Sequence, residues 1–243
     1  MIIEVRRAAD RPESHGDGIV SRHSFAFGPH YDPANTRFGA LVTHNDDVLS
    51  PGAGFPEHPH RDLEIVTWVI SGALQHADST GGSAIVRPGM VGRLSTGAGV
   101  RHSETNAWSG SGETRYVQMW LLPDAEGLPS YSTASVSALL EGGEFVAVAS
   151  GSQPAAVTIR CDATLFVARL AAGTSATLPA SALLHVFVAR GAATVTADKH
   201  KVQLLAGDAV RLTDAIDVRV AATSDAEVLA WAMNARGVSS TTL

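Results

Sequence analysis

The sequence predicts an all-β protein built as two β-barrels in tandem. Short apolar runs, of which "EIVTWVI" (64–70) is typical, recur at roughly 8–12 residue intervals, a spacing characteristic of barrels and sandwiches. The chain contains 23 glycines and 11 prolines, which supply the turns between these runs. A length of 243 residues with 45% hydrophobic content provides the core of one large domain or of two domains of about 120 residues.

A weak internal repeat favours two barrels over one. When Gly72 is aligned with Gly191, both halves continue as a tight turn followed by an alternating strand, and "RL" recurs further on at 93–94 and 211–212. The second half keeps the pattern of strands but lacks the polar residues of the first. The alignment pairs His58 with Thr177, His60 with Pro179, His102 with Val220 and Glu104 with Ala222.

The repeat and the composition together predict the domain boundaries. We expect a first barrel with a metal site over residues 1–130 and a second barrel over 131–243. The linker is expected near residues 124–144, a range that includes most of the turn-rich "LPDAEGLPSYS" (122–132). Within it, "STASVSALLEGG" (132–143) is the one segment with a convincing helical pattern.

Charge and composition argue against nucleic acid and membranes as partners. The formal net charge is −6, and the 18 basic residues, mostly arginine, are scattered rather than clustered. The N-terminal segment lacks the apolar stretch of a secretory signal, and no apolar run is long enough to span a bilayer. The single cysteine, Cys161, lies in a predicted strand and can form no intrachain disulfide. We expect a cytoplasmic protein with no direct nucleic-acid binding.

Two pairs of polar residues in the first half predict a metal site. In an extended segment, residues two apart share a face, so His58 and His60 point the same way, as do His102 and Glu104. Two such strands facing each other inside a barrel would bring three imidazoles and a carboxylate together. Neutral imidazole and carboxylate suit Fe(II), Mn, Ni, Cu or Zn.

Glu64 competes with Glu104 for the place of the carboxylate ligand. By the same parity Glu64 could point inward with the two histidines before it, provided that the strand begins early enough. Glu104, however, lies two residues from His102, so one strand would deliver both ligands to one ion. Glu64 is therefore assigned to a hydrogen bond beside the site. The remaining histidines are predicted to be surface or hydrogen-bonded residues, among them His15, His30, His44, His76, His185 and His200.

The spacing of these residues resembles the two motifs of the cupin fold. The first motif corresponds to Gly52-x5-His58-x-His60-x3-Glu64 and the second to Gly99-x2-His102-x3-Asn106. Two positions depart from the pattern, because the closing Gly72 comes one residue late and Gly97 stands where a proline is expected.

Three longer segments resemble the pirin family more specifically. "SFAFGPHYDP" (24–33), "HPHRDLEIVTWVISG" (58–72) and "GAGVRHSETNA" (97–107) occur in that order. The resemblance implies a bicupin, two cupin (jelly-roll type) β-barrels in tandem. It implies one metal in the first barrel, held by His58, His60, His102 and Glu104, and a degenerate, metal-free second barrel. Fe(II) is the favoured metal, with Zn, Mn, Ni, Cu or Cd as alternatives.

The resemblance also implies an activity. Bacterial pirin-like proteins are associated with quercetin 2,3-dioxygenase activity, so we expect a metal-dependent dioxygenase that takes a small aromatic, flavonol-like substrate and O2. Glu104 is the nearest candidate for the catalytic base. The alternative is a metal-binding, redox-sensitive regulatory protein that acts on a protein partner as a transcriptional or metabolic co-regulator, without turnover. A zinc hydrolase or isomerase in the same pocket is a third reading.

Overall fold

The computed structural model describes residues 1–110 and 112–234, in which nearly all of the regular secondary structure is β-strand. The first half of the chain contributes twelve strands, in order β1 (Ile2–Arg6), β2 (Glu13–Gly16), β3 (Ile19–His23), β4 (Leu41–Leu49), β5 (Gly54–His60), β6 (Glu64–Ser71), β7 (Leu74–Asp78), β8 (Ser83–Val86), β9 (Met90–Ser95), β10 (Val100–Asn106), β11 (Thr114–Leu121) and β12 (Ser130–Ser135).

The second half begins with a short helix, α1 (Ser137–Leu140), and continues with ten strands. These are β13 (Val146–Ser150), β14 (Val157–Thr158), β15 (Ala163–Leu170), β16 (Ser175–Thr177), β17 (Ser181–Arg190), β18 (Ala192–Ala197), β19 (His200–Leu205), β20 (Ala209–Ala215), β21 (Arg219–Ala222) and β22 (Ala226–Met233). A 3-10 turn, Ala8–Asp10, follows β1. Within the described ranges, no helix has the length and apolar character needed to cross a membrane.

Each half forms two sheets with the same order of strands. In the first barrel a seven-stranded sheet runs β12-β9-β6-β11-β4-β3-β2, and a four-stranded sheet runs β5-β10-β7-β8. In the second barrel the corresponding orders are β1-β20-β17-β22-β15-β13-β14 and β16-β21-β18-β19. The repeated order confirms the predicted all-β architecture of two barrels in tandem.

The first strand of the chain completes the second barrel. β1 pairs antiparallel with β20, from Ile2 opposite Thr213 to Arg6 opposite Ala209. In the first barrel the same place, beside β9, is taken by β12. The N-terminal strand therefore belongs to the second barrel, although the chain continues from it into the first. Removal of β1 would leave β20 as an unpaired edge. The division at residue 130 stays a prediction, and residues 235–243 of the predicted second domain lie outside the described residues.

The two seven-stranded sheets pack against each other around a shared apolar core. Trp68 and Met119 of the first barrel and Trp231 of the second are fully buried in this core. The indole N–H of Trp68 donates to Glu227 at 2.8 Å, and the indole N–H of Trp231 lies 3.1 Å from the sulfur of Met119. These contacts cross from one barrel to the other, so each barrel covers an apolar face of its neighbour.

The predicted helix over 132–143 is largely wrong. Its first residues belong to β12, in which Ser130 lies opposite Ser95 and Ser135 opposite Met90. Helical structure is confined to Ser137–Leu140. The small residues of this segment fit a strand as readily as a helix, and pairing with β9 decides between them.

Strand pairing also corrects the alignment of the two halves. In the first barrel Glu104 of β10 lies opposite His76 of β7, and in the second Val220 of β21 lies opposite Val195 of β18. The counterpart of Glu104 is therefore Val220, not Ala222, and the counterpart of His102 is Val218. The connection between the paired strands is longer in the first barrel, which the glycine anchors alone do not reveal.

Candidate metal centre

The antiparallel strands β5 and β10 bring the three predicted histidines together. His102 lies directly opposite His58, and His60 lies two pairs further along, opposite Val100. The ring centroids are 4.5 Å apart for His58 and His102, 4.8 Å for His58 and His60, and 5.1 Å for His60 and His102. One ring nitrogen from each lies within 4.8 Å of the others, a separation that a single metal ion can bridge.

Nitrogen atoms without hydrogen bonds show that the three rings suit a metal. The Nε2 atoms of His60 and His102 are buried without a hydrogen-bond partner among the described residues. The Nδ1–H of His58 donates to the carbonyl of Pro56 at 2.8 Å, which leaves its Nε2 as the free ligand atom. Buried polar atoms without partners are rare in folded proteins, and a bound metal ion would satisfy them.

The surroundings of His60 and His102 keep both rings neutral. Burial, together with a smaller effect of the neighbouring His58, lowers the pKa of His60 to about 4. Burial also lowers the pKa of His102 to about 3, with added effects of His58 and His60. Only the neutral imidazole has a lone pair for a metal, so His60 and His102 are in their ligand form at neutral pH.

Glu104 lies next to His102 but faces a different set of partners. Both carboxylate oxygens accept hydrogen bonds from Nε2 of Gln118, at 2.8 and 2.7 Å, and the Oε1 of Gln118 accepts from the indole of Trp120 at 2.9 Å. Burial raises the pKa of Glu104 to about 7, the Gln118 bonds oppose the rise, and Asp47 adds to it. Glu104, His102 and His76 form a second group of potential ligand atoms within 4.8 Å, which shares His102 with the first.

A break between β5 and β6, after His60, directs the side chain of Glu64 away from the histidine cluster. Asp62 adopts a positive φ of 54°, which ends the regular alternation between β5 and β6, so parity no longer relates Glu64 to the histidines. The Glu64 carboxylate instead accepts from the hydroxyl of Ser95 at 2.8 Å. It lines a cavity of about 880 Å³, whose lining includes none of the three clustered histidines. The clustered histidines His58 and His60 line a smaller cavity.

The smaller cavity, about 270 Å³, opens onto the histidine cluster and is lined by two kinds of side chain. Some are aromatic or apolar, and the others include polar side chains of β3, β4, β10 and β11. The lining residues are Ser21, Phe27, Asn45, Asp47, Phe55, Pro56, His58, His60, Glu104, Gln118 and Trp120. A pocket of this kind suits a flat aromatic ligand that carries hydroxyl groups.

Sequence reasoning missed several residues of this pocket. Asp47 is fully buried, its Oδ1 has no partner among the described residues, and burial raises its pKa to about 7. Gln118 and Trp120 orient Glu104, and His76 contacts His102. The available signal was polar residues within core strands, namely "HNDD" (44–47) in β4 and the glutamine of "YVQMW" (116–120) in β11.

Apart from His76, the other histidines belong to neither group of potential metal ligands among the described residues. His15 and His200 are exposed, as predicted. His44 and His185 are not surface residues, because both are fully buried between the barrels with ring centroids 4.9 Å apart. Burial lowers the pKa of both well below the usual value, so neither is charged at neutral pH.

Comparison with known families and proteins gives a consistent result. The family model described as Pirin matches residues 4–121, and the model described as Quercetinase C-terminal cupin domain matches residues 146–233. A Mycobacterium tuberculosis protein with a provisional name as a quercetin 2,3-dioxygenase is 45% identical over 238 residues, which covers 96% of each chain. A pirin-like protein of Caulobacter vibrioides is 35% identical and covers 87% of this chain and 90% of its own.

A solved structure agrees with the fold. The bacterial pirin YhhW of Escherichia coli, determined in complex with nickel(II), superposes with a TM-score of 0.84 at 28% identity, over 96% of this chain and 99% of its own.

Proposed function

The chain belongs to the pirin family, and on that premise we propose that it is a metal-dependent dioxygenase of a flavonol-like, quercetin-type substrate. The observation that supports this most is a cluster of three imidazoles beside a cavity with aromatic side chains in its lining, in which His60 and His102 each have a buried nitrogen without a hydrogen-bond partner among the described residues. A relative from Escherichia coli O157:H7 that is 30% identical over 231 residues is named quercetin 2,3-dioxygenase.

The proposed metal ligands are His58, His60, His102 and Glu104, with Fe(II) as the metal. The three histidines offer ring nitrogens, and Glu104 offers a buried carboxylate beside His102. When bound, the metal would supply a Lewis-acidic centre that favours the deprotonated, oxidisable form of a phenolic substrate. Because the counterparts of these residues in the second barrel are apolar, we propose that the second barrel, within 131–243, binds no metal.

The cavity beside the cluster would select and orient the substrate. Flat apolar contacts come from Phe27, Phe55 and Trp120. Asp47 supplies a carboxyl oxygen, Oδ1, that has no hydrogen-bond partner among the described residues. A flavonol presents an aromatic plane and hydroxyl groups at its edge. The plane would pack on the aromatic side chains, and the hydroxyl groups would bond to the polar ones. A phenolic hydroxyl that donates to Asp47 would fix the orientation of the ring.

Glu104 is proposed as the base that takes the proton of the reacting hydroxyl. It is buried beside the histidines and lines the same cavity, so it is within reach of a bound substrate. The bonds from Gln118, itself held by Trp120, fix the orientation of the carboxylate. Held in place, the carboxylate loses little freedom when it accepts the proton.

Oxygen uptake tests the proposal directly. Protein reconstituted with Fe(II) should consume O2 when given a hydroxylated flavonol, with ring opening and release of carbon monoxide. The His102→Val variant should show no uptake, while His200→Ala, a change at an exposed histidine of the second barrel, should match the wild type. Absence of uptake across a panel of flavonols with Fe(II), Mn(II) or Ni(II) protein would show that the dioxygenase proposal is wrong.

A further inference from the structure

A chain of three buried side chains leads to the imidazole of His102 from outside the proposed ligand set. Asp78 lies at the end of β7, His76 lies two residues before it, and His102 lies on the neighbouring strand β10. Nε2 of His76 is 2.9 Å from Oδ2 of Asp78, and Nδ1 of His76 is 3.5 Å from Nδ1 of His102. All three are buried away from bulk water as side chains.

The turn after β7 holds Asp78 as a carboxylate that accepts hydrogen bonds only. Its Oδ1 accepts from the backbone N–H and the hydroxyl of Thr80, at 2.8 and 2.6 Å, and from the N–H of Gly82 at 3.1 Å. Gly82 is required here, because a Cβ at this position would lie 2.2 Å from Oδ2 of Asp78. The ring of Tyr131 stacks on His76 with centroids 3.7 Å apart and planes at 9°, which fixes the rotation of the imidazole.

The proton positions follow from this arrangement. A carboxylate has no proton to donate, so Nε2 of His76 must be the N–H and its Nδ1 must be bare. The Nδ1 of His102 must then be the donor in the contact between the two rings. A neutral imidazole has one N–H, so Nε2 of His102 is bare and points toward the cluster with His58 and His60.

We propose that Asp78 and His76 are positioning residues that fix the tautomer of His102, so that its Nε2 is available to a metal. We call this chain of hydrogen bonds from Asp78 through His76 to His102 the relay. It holds the proton on Nδ1 of His102, as the carbonyl of Pro56 holds the proton on Nδ1 of His58. In this assignment His76 is not itself a ligand, although its ring lies within reach of Glu104 and His102. The inference rests on His102 being a ligand, as proposed above, but the tautomer exists without metal or substrate and can be measured separately.

Nitrogen NMR of the full chain tests the relay without any turnover. Long-range proton–nitrogen spectra of metal-free, ¹⁵N-histidine-labelled protein distinguish the bare from the protonated ring nitrogen. We expect a proton on Nδ1 of His102 and on Nε2 of His76. A proton on Nε2 of His102 would overturn the proposal, and this measurement needs no variant that could fail to fold.

Asp78→Asn is the decisive variant, because it keeps the size of the side chain. Its Oδ1 remains the acceptor for Thr80 and Gly82, so its amide N–H would face His76. The relay should then reverse, with the proton of His102 moved to Nε2, and the affinity for Zn(II) or Ni(II) should fall about 10- to 100-fold. An unchanged tautomer and affinity in this variant would overturn the relay.

His76→Phe and a matched control separate the relay from general packing. The phenyl ring can still stack on Tyr131 but has no nitrogen, so His102 should populate both tautomers and lose metal affinity. His23→Phe removes another buried, doubly hydrogen-bonded histidine of the same barrel and should leave both unchanged. A Zn(II)-induced shift on a nitrogen of His76 as large as that on Nε2 of His58 would show direct coordination and overturn the assignment. A correct tautomer without oxygen uptake would instead reject only the dioxygenase.

Discussion

The two barrels have the same strand order but opposite interiors. At the positions of His102 and Glu104 on β10, the second barrel has Val218, just before β21, and Val220 on β21. The position of His58, whose partner across the sheet is His102, is taken by Leu178, whose N–H bonds to the carbonyl of Val218. In every case a polar ligand type is replaced by a buried aliphatic side chain.

The difference extends to the wall of the cavity. Asp47 lies opposite Tyr116, and the equivalent pair in the second barrel is Ala168 opposite Val228. Gln118 corresponds in the same way to Ala230. Polar side chains therefore line one whole side of the first barrel, and small apolar side chains line the same side of the second.

The cores of the barrels differ accordingly. The second barrel contains one continuous apolar cluster of buried residues. The first barrel has two smaller clusters, one around Leu74 and Tyr116 and one around Ile65 and Leu94, separated by the polar site. The comparison shows that a barrel with this strand order can close around an interior of apolar side chains alone. The polar site is an addition that costs apolar burial and desolvation, and metal binding would offset part of that cost.

The largest expected effect comes from giving the first barrel a residue of the second. His102→Val should reduce the metal content from about one ion per chain to near zero and abolish turnover. The fold should survive, because valine occupies the equivalent place at Val218. Elemental analysis of untagged protein checks the metal content, with His200→Ala as the control. Two ions per wild-type chain would contradict the contrast between the barrels.

The next effect separates the two glutamates. Glu104→Gln keeps the size of the side chain but removes its charge and basicity, so turnover should fall at least about 10²-fold and metal retention should weaken. Glu64→Gln should change both far less, because Glu64 bonds to Ser95 in a different cavity. Metal content and turnover of the two variants, measured side by side, decide the matter. Loss of metal from Glu64→Gln alone would reverse the assignment.

A smaller effect concerns the pH dependence of stability in the polar barrel. Burial raises the pKa of Asp47 from 3.8 in a free chain to about 7. Between these values the unfolded chain has released the proton and the folded chain has kept it. The free energy of unfolding of the metal-free protein should therefore fall as pH rises from about 4 to 7, by up to about 1.4 kcal/mol per pH unit.

The Asp47→Asn variant isolates this contribution, because asparagine does not titrate. Denaturant unfolding at pH 5, 6 and 7 should show the variant gaining stability relative to the wild type as pH rises. The exposed Asp10→Asn controls for loss of a negative charge elsewhere. Parallel curves for Asp47→Asn and the wild type would mean that Asp47 is ionised in the folded protein.

The smallest expected effect is that of metal removal on the fold. The second barrel closes around Val218 and Val220 without polar ligands, so the first should also stay closed when its metal is removed. Far-UV circular dichroism should remain that of an all-β protein after chelation, while turnover is lost. Unfolding of the chain by the chelator would show that the first barrel needs its metal in order to fold, unlike the second barrel.

The amino-acid sequence by itself determined the all-β class, the tandem repeat and the contrast between a polar and an apolar half. It also nominated His58, His60 and His102, because side-chain alternation along a strand is a local property that two-residue spacing reveals. The structure places a ring nitrogen of each of these three histidines within 4.8 Å of the others, and their binding of a metal stays a prediction. Glu104 lies beside His102 as its spacing predicts, although it shares a separate group with His76.

Only the tertiary structure decided the features that depend on which strands become neighbours. The break at Asp62 turned Glu64 away from the cluster, pairing with β9 converted most of a predicted helix into β12, and β1 joined the second barrel. The same pairing placed His76 against His102 and Asp47 on the wall of the cavity. These contacts join residues far apart in the chain, and their geometry is set by strand register and loop length. Local spacing therefore predicts which side chains share a face, and register decides which faces meet.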